Sequence, residues 1–116
     1  MTIFYIGGNI VGILGLLTIL SHGKHKIIGA KSYFPELSDI LSSFKIKEYE
    51  LNDMPDCDII LSVHGREKIN KRGRLGSYNI HPFLYKYKGA NPIQRALNDN
   101  CDLGSVGIHK ITDEID

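Results

Sequence analysis

Short apolar runs alternate along this chain with glycine-rich or charged breaks. Residues 2–6 are aromatic and β-branched without polar alternation, the pattern of a strand buried on both faces. Gly7-Gly8-Asn9 breaks that run, an apolar stretch of helical length follows at 10–20, and Ser21-His22-Gly23 ends it. The same grammar predicts a short strand at 26–30 and a helix at 35–44 with Pro35 in its first turn. It predicts strands at 46–51 and 57–63, with a loop at 52–55 between them. A charged loop then spans 65–75, and a strand is expected at 78–81. Asn91-Pro92, a cap and first-turn pair, opens a helix at 93–98, and residues 105–111 form the last strand.

Strands alternating with helices define an α/β class: a Rossmann-like, mostly parallel sheet flanked by helices. Such sheets take ligands at the carboxyl ends of their strands, where strand order reverses. Gly7-Gly8-Asn9, His64-Gly65-Arg66 and Asn79-Ile80-His81 all fall at predicted strand ends. Three polar turns on one edge of one sheet make that edge the expected site.

The chain has 116 residues, the size of a single domain, 1–116. Its net charge of +1 supplies no global field for gripping nucleic acid. Cys57 and Cys101 lack metal-ligand spacing and read as reduced thiols of a cytoplasmic protein. His22 and His25 flank a glycine without an acidic or cysteine partner nearby, so no metal site is expected. The uncharged run 3–20 has the apolarity of a leader or membrane segment. However, no Lys or Arg precedes it and Gly7-Gly8-Asn9 interrupts it, which favours a buried strand, a turn and a buried helix, with no membrane partner.

Asn79 and His81 are the sharpest candidates for chemistry. Two residues apart on a strand, an amide and an imidazole point to one face. Together they can hold a developing oxyanion. Gly7-Gly8-Asn9 is either a tight strand-to-helix turn or a cradle whose backbone N–H groups meet a phosphate or hydroxyl. It is neither a phosphate-binding P-loop nor a regular dinucleotide fingerprint. The loop after Val63 carries Arg66, Glu67, Lys68, Lys71, Arg72 and Arg74. Taken singly, these charges read as a solvated loop.

The ordered set Asn79-Ile80-His81-Pro82, Lys86-Tyr87-Lys88-Gly89 and Thr112-Asp113-Glu114-Ile115-Asp116 resembles the folate-dependent formyltransferases. That family includes glycinamide ribonucleotide, methionyl-tRNA and amino-sugar enzymes. The resemblance is close over the C-terminal third and in outline elsewhere. It departs ahead of the Lys-Tyr-Lys-Gly turn, where Phe83-Leu84-Tyr85 lacks the family's usual Leu-Pro. It departs again at 51–57, too short for the helix many relatives place there.

The resemblance implies a shortened formyltransferase fold lacking the usual C-terminal part of the catalytic domain. It implies N10-formyltetrahydrofolate as donor and a primary amine as acceptor. Asn79 and His81 would stabilise the oxyanion, and Asp116 would keep the imidazole charged and relay the amine's proton. Gly65, Arg66, Glu67 and Lys68 would hold the pterin on one side, and Thr112, Asp113 and Glu114 on the other. Gly7, Gly8 and Asn9 would face the acceptor. The run Gly89–Arg95 looks like the methionyl-tRNA branch and some sugar enzymes. The near-neutral charge favours a small-molecule acceptor, a nucleotide-linked amino sugar, over tRNA. The alternative readings are methionyl-tRNA formyltransferase-like activity, or a non-catalytic folate- or nucleotide-binding module of the same fold.

Overall fold

A computed structural model describes residues 1–82, 90–101, 104 and 106–112. Among the described residues five strands form one sheet in the order β2-β1-β3-β4-β5. They are β1 (Thr2–Gly7), β2 (Lys26–Ser32), β3 (Ile59–Val63), β4 (Gly76–Pro82) and β5 (Val106–Lys110). The first four run parallel, and β5 pairs antiparallel with β4. The helices are α1 (Ile10–His22), α2 (Pro35–Ser43) and α3 (Pro92–Asn98). Strand order reverses at β1, which lies between β2 and β3. Apart from the stretch at 46–51, the expected strand-and-helix order holds, with boundaries moved by one or two residues.

The expected strand at 46–51 is not formed. One isolated bridge, Ala30 with Glu48, joins that stretch to β2. Its two bonds are Ala30 N–H to the Lys47 carbonyl at 3.0 Å and Tyr49 N–H to the Ala30 carbonyl at 2.8 Å. Left-handed Lys45 (φ 58°) precedes it, and a 3₁₀ turn at Leu51–Asp53 follows. The two irregularities leave room for one rung.

Alternation sorts the strand residues onto two faces. Ile3, Tyr5 and Val63 join Leu16 of α1 and Leu37 and Leu41 of α2 in one core. Phe4, Ile6 and Ile60 join Met54, Cys57 and Ile69 in the other, with Tyr49 and Leu51 packed against it. The second core is thus roofed largely by irregular chain, as the short stretch 51–57 implied. Phe4, Tyr5, Leu16, Leu37, Leu41 and Ile60 are fully buried. Each such side chain contributes about 1.5–3 kcal/mol of transfer free energy.

Close approach governs the first βα unit. The Tyr5 hydroxyl donates to the Gly12 carbonyl at 2.6 Å, and burial pushes its phenol well above the ordinary range. A Cβ on Gly15 would fall 2.5 Å from that hydroxyl, so the helix can lie this low only with glycine there. Gly8 is more constrained. Its N–H donates to the Val63 carbonyl at 3.0 Å, and a Cβ would fall 1.6 Å from the His64 carbonyl oxygen. At the opposite edge a reciprocal clamp joins β1 to the start of β3. Thr2 N–H donates to Asp58 Oδ2, and Asp58 N–H donates to Thr2 Oγ1, both at 2.9 Å. Arg74 ion-pairs with the same carboxylate. The Thr2 N–H, then Arg74, hold the Asp58 carboxyl below its usual range.

Gly8→Ala is expected to destabilise the domain by about 2 kcal/mol or more, because the clash is with backbone that cannot swing aside. Urea unfolding measures it, and an unchanged midpoint would refute the constraint. A depressed folded-state pKa stabilises above the unfolded value of about 4 and ceases to as pH falls through the folded value. Asp58→Asn should therefore flatten the loss of stability below about pH 4, read as the difference between acid-unfolding curves of the two proteins.

Candidate functional site

β1, β3 and β4 deliver their carboxyl ends to one edge of the sheet. Ile6 pairs with Ser62, and Ser62 with Asn79, in neighbouring rungs. Asn79 pairs across the antiparallel ladder with His109. All of these lie on the irregularly roofed face. His81, two residues on, shares that face and is buried at 5 % exposure. The amide and the imidazole thus occupy the same side of β4, as their spacing predicts.

Asn79 Nδ2 donates to His109 Nε2 at 3.2 Å. The rings of His81 and His109 lie 6.3 Å apart, centroid to centroid, tilted by 60°. The sequence reading assigned His109 no role. The signal that finds it is the alternation of β5, which puts His109 and Ile111 on one face and Val106, Ile108 and Lys110 on the other.

The turn after β1 meets the end of β3. Asn9 caps α1, its Oδ1 accepting from Val11 N–H at 2.9 Å. Its Nδ2 lies 2.8 Å from His64 Nδ1. His64 is half-buried and left-handed (φ 60°), turning the chain off β3. Burial, then the His81 charge, holds the His64 imidazole below its ordinary pKa. His64, placed by the sequence only at a strand end, is the link between the first turn and the His81 strand end.

Gly65, Arg66, Glu67 and Lys68 are exposed and follow directly. A Cβ on Gly65 would fall 2.6 Å from Ser62 Oγ and 2.9 Å from Ile6 Cγ2, so the loop folds back over the Ser62 row, beside Asn79. Glu67 lies against the enclosed Tyr33 hydroxyl, which has no hydrogen bond of regular geometry among the described residues. Burial, then Glu67, pushes that phenol up.

Thr112 is placed elsewhere. Lys110 pairs with Tyr78, and Ile111 N–H donates to the Ser77 carbonyl at 2.7 Å, so Thr112 reaches the level where β4 begins. Five residues of strand separate that level from His81, about 16 Å. Asp113, Glu114 and Asp116, and the Lys86-Tyr87-Lys88-Gly89 turn, lie outside the described residues. Two open grooves, of about 460 and 450 Å³, are lined by Lys26 and Phe44 and by Arg74 and Lys110 respectively; Asn79 and His81 line neither. Among the described residues no group of three His, Cys, Asp or Glu is arranged for a metal ion. No helix among them is long and apolar enough to cross a membrane.

The architecture is that of a parallel α/β domain with a polar edge at its switch point. Across its whole length the chain superimposes on 67% of phosphoribosylglycinamide formyltransferase from Anaplasma phagocytophilum, with a TM-score of 0.74 and 18% identity, a likeness of fold. No protein-family model matches the chain. Over 62 residues, half of its length, it is 45% identical to methionyl-tRNA formyltransferase of Thermotoga maritima, covering 20% of that protein. Over its full length it is 30% identical to the methionyl-tRNA formyltransferase of Pseudothermotoga lettingae, covering 45% of it. The chain thus spans less than half the length of these curated relatives. It belongs to the folate-dependent formyltransferase superfamily, with methionyl-tRNA formyltransferases among its relatives in sequence.

Proposed function

We propose that this chain carries the catalytic edge for formyl transfer from N10-formyltetrahydrofolate to a primary amine. The observation that supports it most directly is the common face of Asn79 and His81, at the strand ends where β1 and β3 also terminate. The donor supplies a formyl group bonded to nitrogen. As the amine attacks that carbon, its oxygen gains negative charge, and the Asn79 amide and a protonated His81 ring donate to it. Collapse breaks the bond to N10, and the proton lost by the amine goes to N10. Asp116, by resemblance, keeps the imidazole charged and relays that proton.

The loop beside Asn79 fits the donor. Gly65–Lys68 is exposed chain folded over Ser62 and Ile6. Main-chain N–H and C=O groups at that place suit the donor–acceptor edge of a pterin. Gly7, Gly8 and Asn9 face the acceptor side in this reading. Of them, Gly7 and Gly8 are buried, leaving Asn9 as the side chain within reach.

For the acceptor, the relatives' names favour methionyl-tRNA over the nucleotide-linked amino sugar that charge alone favours. The +1 charge belongs to a chain spanning less than half of those relatives, so it weighs little against them.

With formyl-folate as donor, formyl-methionine should appear on charged initiator tRNA. Transfer only to a nucleotide-linked amino sugar would reverse the order of acceptors, and transfer to neither would leave a binding module. Asn79→Ala should lower kcat about a hundredfold or more, with folate binding retained. A loss under about threefold would remove Asn79 from the oxyanion site.

A further inference from the structure

We propose that Asn9 and His64 act as a positioning pair that keeps His64 neutral, so that His81 is the imidazole of this edge that takes up the proton. The proposal rests on the reading above, in which a charged His81 serves the oxyanion.

The argument begins at the helix cap. Asn9 Oδ1 is committed to Val11 N–H at 2.9 Å, which fixes the amide's orientation. Its Nδ2 must therefore face His64, 2.8 Å from Nδ1. An amide NH₂ only donates, so His64 Nδ1 must accept. A neutral His64 then carries its proton on Nε2. Protonating the ring would place N–H against N–H at 2.8 Å and break the bond. The positive end of α1, at whose cap Asn9 stands, opposes the same charge. Asn9 could relieve the conflict only by abandoning its cap.

Strand pairing supplies the coupling. Val63 pairs with Ile80, so His64 leaves β3 at the level of His81. Two imidazolium rings so placed disfavour each other, and the one with a donor fixed on its acceptor nitrogen stays neutral. Burial lowers the His64 pKa as well, but His81 is the more buried of the two, so the fixed Asn9 donor is what separates the rings. From β5, His109 lies 6.3 Å from the His81 ring and is bonded to Asn79. Arg66 and Glu67 follow His64 in the chain, exposed, with Glu67 beside Tyr33. Asp113, Glu114 and Asp116 lie outside the described residues.

The test is a histidine titration of the full chain by ¹⁵N–¹H NMR, which needs no turnover. In the native protein His64 should show the Nε2–H tautomer and titrate below His81. Asn9→Asp keeps the helix cap but presents an acceptor to Nδ1. It should raise the His64 midpoint by about one unit or more and lower that of His81. Asn9→Ser, also a good cap, should raise His64 by less. If formyl transfer is observed, the Asn9→Asp activity profile should shift its His81 limb to lower pH. A native His64 with its proton on Nδ1, a His64 midpoint at or above that of His81, or an unmoved His81 in Asn9→Asp would each overturn the pair. These outcomes are independent of whether formyl transfer is detected, so failure of the pair and failure of the function are distinguishable.

Discussion

The backbone contact between Gly8 and the end of β3 is the constraint on which the edge depends. Gly8 N–H bonds to Val63, and its Cα passes the His64 carbonyl at a distance that no side chain tolerates. That contact brings the first turn onto the third strand. It lets Asn9 cap α1 and bond His64 with one amide. It also fixes β1 against β3, whose next neighbour, β4, carries Asn79 and His81. A wider turn would separate the Asn9 amide from the His64 ring.

Much of the fold was legible because its signals were strong and local. Continuous apolar runs marked β1 and β3, Pro35 opened α2, and Asn91-Pro92 opened α3. What misled was the stretch at 46–51. Its apolar residues Ile46, Tyr49 and Leu51 suit a strand, yet Tyr49 and Leu51 pack as part of the loose roof over the second core. Propensity could not report that a left-handed Lys45 and a 3₁₀ turn would bound it.

The candidate site was legible to the extent that spacing determines direction. Period-two geometry put Asn79 and His81 on one face before any strand partner was known. Cross-strand bonds were not accessible in that way. Asn79–His109 spans thirty residues and Asn9–His64 fifty-five, and each depends on register and turn shape rather than local pattern. The irregular roof over the second face agrees with a segment 51–57 too short for a helix. The fold of the loop at 65–68 back over Ser62 has no local sequence signal.

The central position of β1 also shapes how the molecule is made. On the ribosome, residues 2–7 emerge well before residues 59–63, yet they must pair with them. During that interval the nascent chain can complete only the β2 side of β1, leaving its other margin unpaired. Newly made chains thus pass through a stage suited to chaperone capture, and the interval closes when β3 leaves the exit tunnel.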